Sequence, residues 1–295
     1  MAVTIAIITG IGGDLGQAIA RCLKRRGVMV VGCDSDTLHE WTAKRFADAW
    51  LHALPRADDL YYIRALETIV EERHADLIFP TTDAEQRVLA AQADCLLHPK
   101  LVMLQPFSQV LRFQDKVETS RAFRRVGLPF TETHSTTWPG CWTKPRVKGG
   151  KELCQQDYLD GPEYTVGVWS NSQDVRAIAF RRELRGGATY RCWYHPESEE
   201  TLAAEAAGIA VAKAFGLVGS FNVQGRYVES RGFVPFELNP RFSSTASIRD
   251  SFGFCDVWWE ALTRLGEPVP EYKRPARGRA VRYWEEVVQT DGEWR

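Results

Sequence analysis

Residues 233–241 read Phe233-Val234-Pro235-Phe236-Glu237-Leu238-Asn239-Pro240-Arg241. The run is apolar enough for a buried strand, yet a carboxylate, an amide and a guanidinium occupy alternate positions at its end. Side chains alternate across a pleated strand, so Glu237, Asn239 and Arg241 project to one side. A second run, Asn222-Val223-Gln224-Gly225-Arg226-Tyr227, precedes it through a short charged turn. The pair reads as an antiparallel hairpin in which Gln224 reaches the same point as Glu237 and Asn239. Hard oxygen donors with few carboxylates suit a magnesium ion that keeps waters and phosphate oxygens in its shell. Gln224, Glu237 and Asn239 are therefore the expected metal ligands, and Arg241 the guanidinium that stabilises charge on a transferred phosphoryl group. An arbitrary Glu-x-Asn pair is more often a solvated strand end. Here Phe233, Val234, Phe236 and Leu238 set the polar groups within a packed sheet.

Working outward, residues 164–169 and 175–183 are further strand-like runs, and residues 199–215 have helical spacing. From about residue 140 the pattern is thus antiparallel and α+β. The N-terminal part alternates instead. Residues 3–9 form an apolar strand, Gly10 to Gly16 a glycine turn, residues 17–26 an amphipathic helix, and residues 28–33 a second strand ending at Asp34. Helix over 60–74, strand over 76–80, helix over 81–97 with Thr82 and Asp83 as cap, and strand over 101–104 continue a parallel α/β sheet. A helix follows from 115 to 126. The expected units are residues 1–105, residues 106–275 and a C-terminal extension over 276–295, where 279–288 reads as one more strand.

The glycine turn on its own points to a dinucleotide site. Gly10, Gly13 and Gly16 have dehydrogenase-like spacing, and Asp34 stands where an acid would hold an adenosine ribose. That chemistry needs a tyrosine with a lysine four positions on to carry the proton, and the chain has no Tyr-x-x-x-Lys. Glycines also simply permit a tight turn and close helix packing.

Lys and Arg total 37 against 38 for Asp and Glu, so no overall field recommends nucleic acid or an anionic membrane, and a small-molecule partner is expected. The seven cysteines are scattered without a CxxC pair or metal spacing, and read as reduced thiols. No leader-type segment or bilayer-length apolar run is seen, so the cytoplasm is the expected compartment.

Four segments in order resemble the ATP-grasp superfamily, in its carbamoyl-phosphate-synthase-like, carboxylate-amine ligase branch. They are Asp115-Lys116, Thr143-Lys144-Pro145-Arg146, the stretch from Gln155 to Thr165, and Phe236-Glu237-Leu238-Asn239-Pro240-Arg241-Phe242. The resemblance implies a Rossmann-like pre-ATP-grasp domain, whose glycine turn serves the substrate side, followed by an ATP-grasp domain with an antiparallel sheet. It implies ATP and Mg2+ as cofactors, with Lys116, Lys144 and Lys148 on the phosphates, Asp157, Tyr158 and Leu159 along adenine, and Glu163 on the ribose hydroxyls. Lys144 and Arg241 would be catalytic. The reaction would be phosphoryl transfer to a carboxylate, giving an acyl phosphate that an amine or similar nucleophile attacks, with no covalent enzyme nucleophile. Family members are often dimers, so a homodimer is possible. The alternatives are an NAD-dependent nucleotide-sugar epimerase or dehydrogenase, and a catalytically silent nucleotide-binding protein.

One departure stands out. After Lys148-Gly149-Gly150 the family continues through a glycine-rich lid, a strand and a helix, whereas here Lys151-Glu152-Leu153 runs almost directly into the adenine linker. Either the lid is lost, exposing the phosphates to water, or a mobile segment lies outside this sequence; the mobility of such lids favours the second. Among less determined residues, one of Arg181, Arg182 and Arg185 could clamp a carboxylate, or the three belong to a solvated basic turn. Asp83 sits at a strand end where ligands gather, a place a helix N-cap explains equally well, and Ser243, Ser244, Thr245, Ser247 and Arg249 either line an acceptor pocket or form an ordinary polar loop.

Overall fold

The computed structural model of the chain describes residues 3–36, 40–52, 54–131, 133–134, 141–148, 151–171, 173–283, 289–290 and 293–294. The first part alternates strands and helices: β1 (Ile5–Ile8), α1 (Asp14–Lys24), β2 (Met29–Asp34), α2 (Glu40–Phe46), β3 (Ala49–His52), α3 (Tyr62–Arg73), β4 (Leu77–Phe79) and α4 (Asp83–Ala91). The strands lie in the order β3-β2-β1-β4, all parallel. Successive residues of β1 feed two cores: Ala6 and Ile8 pack with Leu15, Ile19 and Leu23 of α1, while Ile7 packs with Leu66 and Val70 of α3. Both faces are covered, which is why these strands read as unbroken apolar runs.

The strand expected over 101–104 is reduced to one bridge, Ile78 to Val102. Pro99 opens a 3-10 turn there, and Pro106 has no N–H to extend a ladder. The helix expected from 115 is preceded by another, so α5 (Phe107–Gln114) meets α6 (Lys116–Arg125) at Asp115. The Asp115 carboxylate accepts from the N–H groups of Val117 (2.9 Å) and Glu118 (3.2 Å), capping α6.

A three-stranded antiparallel sheet follows, order β5-β7-β6, from β5 (Thr133–His134), β6 (Cys141–Pro145) and β7 (Leu153–Asp157). Strands β6 and β7 keep register from Cys141 opposite Asp157 to Pro145 opposite Leu153, and the Arg146 N–H then donates to the Glu152 carbonyl at 2.8 Å. Arg146 and Glu152 are thus paired directly, at the place where the resemblance puts a lid, strand and helix that this sequence lacks. Gly149 and Gly150 lie outside the described residues.

The large sheet has the order β12-β11-β8-β9-β10-β13, from β8 (Glu163–Ser170), β9 (Val175–Arg185), β10 (Ala188–Tyr194), β11 (Gly219–Val228), β12 (Gly232–Asn239) and β13 (Gly278–Val281). Its described pairs are antiparallel. Helix α7 (Glu199–Phe215) covers one face, where Ala204, Ala207 and Val211 meet Val166, Val168, Phe221 and Val223. Alternation sends Glu163, Asn222, Gln224, Glu237 and Asn239 to the opposite face. There, α8 (Ala246–Ser251) and α9 (Asp256–Leu265) pack partly on the sheet and partly on α1, since Ala246, Val257 and Ala261 share a core with Ile19 and Leu23. The strand expected over 279–288 is present as β13, the sheet's edge; residues 284–288, including Val287, lie outside the described part. A last hairpin joins β14 (Gln289–Thr290) and β15 (Glu293–Trp294).

Candidate functional site

A cleft of about 960 Å³ opens between the C-terminal ends of the parallel sheet and the polar face of the large sheet. On one wall stand Gly10, Asp34 and Thr81; on the other stand Gln224, Glu237 and Asn239. Arg241, Lys116, Lys144, Lys148 and Glu163 also border it, so residues 108 positions apart in the chain reach one space (Lys116 to Gln224). Asp157, Tyr158 and Leu159 do not border it. Leu159 is buried, and Tyr158 is turned outward with Arg226 5.9 Å from its ring.

The hairpin that carries the oxygen donors is bent at the site. Gln224 pairs with Glu237, after which a bulge shifts the register so that Gly225 faces Pro235. Edge position lets β12 accept Pro235 without a lost ladder bond. A side chain at Gly225 would meet the Phe233 ring at 2.4 Å and the Val234 carbonyl at 2.7 Å, so only glycine allows this close approach.

Asn239 donates its amide to Glu237 Oε1 at 2.9 Å. Among the described residues, Glu237 Oε2 and Asn239 Oδ1 have no hydrogen-bond partner, so two oxygens remain to face a cation. Gln224 differs: its Oε1 accepts from Arg182 at 2.9 Å and its Nε2 donates to Asn222 at 3.3 Å. Glu163 is likewise engaged, accepting at Oε1 from Arg182 Nε (2.9 Å) and Nη2 (2.6 Å), and at Oε2 from Arg226 (3.3 Å). An ionised carboxylate has about four lone-pair directions, so acceptor capacity is left over. Of Arg181, Arg182 and Arg185, only Arg182 borders the cleft. Arg181 lies on the other face near Trp193, and Arg185 against Tyr190.

The cations are held on different elements. Lys144, on β6, donates to Gln156 Oε1 at 3.3 Å and lies 5.0 Å from the Phe236 ring centre. Burial pushes its ammonium below the usual lysine range and neighbouring Lys116 adds to this, against the opposing pull of Glu237. Lys116 begins α6, and its backbone N–H donates to the Arg146 carbonyl at 3.0 Å. Lys148, near the hairpin tip, contacts Asp83 Oδ2 at 3.3 Å, while Arg241 Nε donates to Asp83 Oδ1 at 2.6 Å. Burial acts to raise the Asp83 carboxyl, but Arg241 and Lys148 outweigh it and hold it below the usual carboxylate range. Thr82, not Asp83, caps α4, in a reciprocal box with Glu85.

Ser243, Ser244 and Thr245 border the cleft. Arg249 does not; it is fully buried and donates to Ser243 Oγ (2.7 Å), Thr245 Oγ1 (2.9 Å) and Asp256 Oδ2 (2.5 Å). Arg249 thus supports the loop from beneath, a role with no motif to announce it. On the opposite wall, Asp34 Oδ2 accepts from the Gly12 N–H at 2.9 Å, so the acid reserved for a ribose is tied to its own glycine turn. Gly10 has φ +57, and a side chain at Gly16 would meet the Gly10 carbonyl at 2.6 Å, which gives these glycines a packing reason. The dinucleotide reading has no support in this geometry.

A family model described as ATP-grasp in the biosynthetic pathway with Ter operon matches residues 151–287. No curated protein matches the chain in sequence. Among solved structures, the fold is similar to an N5-carboxyaminoimidazole ribonucleotide synthetase bound to ADP, at TM-score 0.73 and 17% identity, covering 95% of this chain and 81% of that one. It is similar also to the L-amino acid ligase of Bacillus licheniformis (TM-score 0.70, 16% identity, 90% and 74% covered). A third is the biotin carboxylase of Campylobacter jejuni complexed with β-γ-ATP (0.68, 15%, 90% and 72%). The matched segment carries the Glu237 to Arg241 motif, and the fold of the chain is the one these solved structures share.

Proposed function

We propose that this cleft binds MgATP and that the protein is an ATP-dependent ligase, activating a carboxylate as an acyl phosphate for attack by an amine or similar nucleophile. The observation that carries this reading is the meeting of Glu237 and Asn239 with Lys116, Lys144, Lys148 and Arg241 in one cleft. The donor set fits magnesium. One carboxylate and one amide offer free oxygens, and such an ion ordinarily completes its shell with phosphate oxygens and water. Bound there, the ion would neutralise phosphate charge; Gln224 would join once released from Arg182.

The chain's own groups do the remainder. Lys116 and Lys144 hold phosphates, Lys148 reaches over them from the hairpin, and Glu163 keeps lone pairs for ribose hydroxyls. Arg241 faces the transferring group, where fixed cations act without reorganisation. Asp157, Tyr158 and Leu159 would need to approach for the adenine role. The nucleophile enters from the wall of Gly10 and Thr81, beside Ser243 and Thr245. Among the described residues no helix is long and apolar enough to cross a membrane, and the described cysteines are free thiols. The cytoplasm, with its ATP and magnesium, is the proposed compartment, and small carboxylates and amines are the proposed partners.

The test is titration with ATP, with and without Mg2+, and with NAD as a parallel control. Magnesium-dependent ATP binding that Glu237→Ala weakens is expected, followed by ADP release with a matching acid and amine pair. Binding of NAD in place of ATP would refute the reading.

A further inference from the structure

Asp83 belongs to the first wall of the cleft, and none of the ATP-grasp motifs in this chain contains it. It is the first residue of α4, whose capping box between Thr82 and Glu85 fixes the helix start. Its backbone carbonyl accepts from Gln114 Nε2 at 2.8 Å, and Gln114 is in turn gripped by Arg87 at 2.8 and 3.0 Å. The carboxylate is therefore presented from a rigid frame. It takes Arg241 through Nε, at 2.6 Å, with side chains only 13% and 12% exposed. Arg241 Nη1 donates to the Phe242 carbonyl at 2.9 Å. Among the described residues Nη2 has no partner, and Arg241 borders the cleft. A guanidinium held at Nε and Nη1 is fixed in orientation, and its Nη2 donors are left for a ligand of the cleft that Arg241 borders. Pre-organisation of this kind gives a donor its value in the transition state, because nothing has to be reoriented as charge develops.

We propose that Asp83 is the positioning residue for Arg241: it aims the guanidinium at the terminal phosphate and makes the first domain a working part of the phosphoryl-transfer site. This rests on the MgATP reading above and extends it. A plain interdomain ion pair would stabilise the fold without regard to which nucleotide is bound. A positioning residue acts only where Arg241 acts, at the group that ATP has and ADP lacks.

The experiment measures the dissociation constants of MgADP and of the magnesium complex of the β,γ-imido analogue of ATP, for the wild type, Asp83→Asn, Asp83→Ala, Arg241→Ala and the Asp83→Ala/Arg241→Ala double variant. Asp83→Ala is expected to weaken the triphosphate analogue by about tenfold, in the range of a lost charge-assisted contact, and to leave MgADP within about twofold. Asp83→Asn, which keeps an acceptor for Arg241 Nε, should lose less. Because Lys148 contacts the same carboxylate at 3.3 Å, the variants are also made in a Lys148→Met background, where the double variant should bind like Arg241→Ala alone. Equal loss for both nucleotides, additive losses in the double variant, or tighter triphosphate binding in Asp83→Ala would each overturn the proposal. Should Asp83→Ala fail to fold, Asp83→Ser, too short to reach Arg241 Nε, gives the same nucleotide comparison and decides it. A wild type that binds neither nucleotide would instead sink the MgATP reading.

Discussion

Replacing Arg249 with leucine tests how the Ser243 to Thr245 wall of the cleft is supported. Arg249 and Asp256 have side chains 1% exposed, and the pair is 2.5 Å apart. Removing the cation leaves a carboxylate sealed from water, and breaking a buried pair from one side costs about 3–5 kcal/mol. Burial already lifts the Asp256 carboxyl above its ordinary range, against the pull of Arg249. Without Arg249 that rise is larger, so the native state binds its proton more tightly than the unfolded chain does. Stability then falls as pH rises from the ordinary carboxylate range through the raised one, and the deficit is greatest at neutral pH. The Ser243 and Thr245 hydroxyls, 2.7 Å apart, still bond each other, so their share of the loss is small. Urea unfolding at constant m-value gives the number. Arg249→Leu should lose about 3 kcal/mol or more at pH 7, and Arg249→Leu/Asp256→Leu should lose less than the single change, since no lone charge stays buried. A single-variant loss below about 1 kcal/mol, or a double variant that loses more, would refute the reasoning.

Further outcomes are expected at three positions. Gly16→Ala places a methyl 2.6 Å from the Gly10 carbonyl and 2.7 Å from Ile11 Cα; backbone atoms yield little, so thermal unfolding should show a loss of about 1–3 kcal/mol. Lys144→Met should weaken MgATP by about tenfold in calorimetric titration. In the wild type, affinity should fall on the alkaline side at a lower pH than an ordinary lysine would set, because burial and Lys116 depress the Lys144 ammonium; Lys144→Arg should remove that fall. Burial raises the Glu260 carboxyl despite Arg264, so its ionisation costs stability as pH rises through the raised range. Glu260→Gln should gain on the wild type from acid to neutral pH, and a constant difference across that span in chemical unfolding would contradict it.

Strands β8, β9, β11 and β12 and helix α7 were legible because each carries a sustained period and clear end signals. Ser198 caps α7 and Gly216 closes it. Strand β10 was not, since its Arg191 and Tyr190 blur the alternation between faces. Helix α5 was hidden by the junction at Asp115, where a cap for α6 also ends the preceding helix. For the site, alternation alone brought Glu237 and Asn239 together, and family order placed Lys116 and Lys144. What the sequence could not convey was pairing over distance: Arg182 between Glu163 and Gln224, Asp83 on Arg241, Asp34 on Gly12, and Arg249 beneath the Ser243 loop. Each depends on how separate elements meet, and nothing in local spacing records it. The short connection between β6 and β7 was visible as missing length, but the pairing of Arg146 with Glu152 required coordinates.

The most direct measurement is calorimetric titration of the protein with ATP, with and without Mg2+, repeated on Glu237→Ala and Asn239→Ala. Magnesium-dependent binding in the wild type, weakened by about tenfold or more in each variant, is the predicted result. Binding of ATP that ignores both magnesium and these substitutions, or binding of NAD alone, would contradict the account.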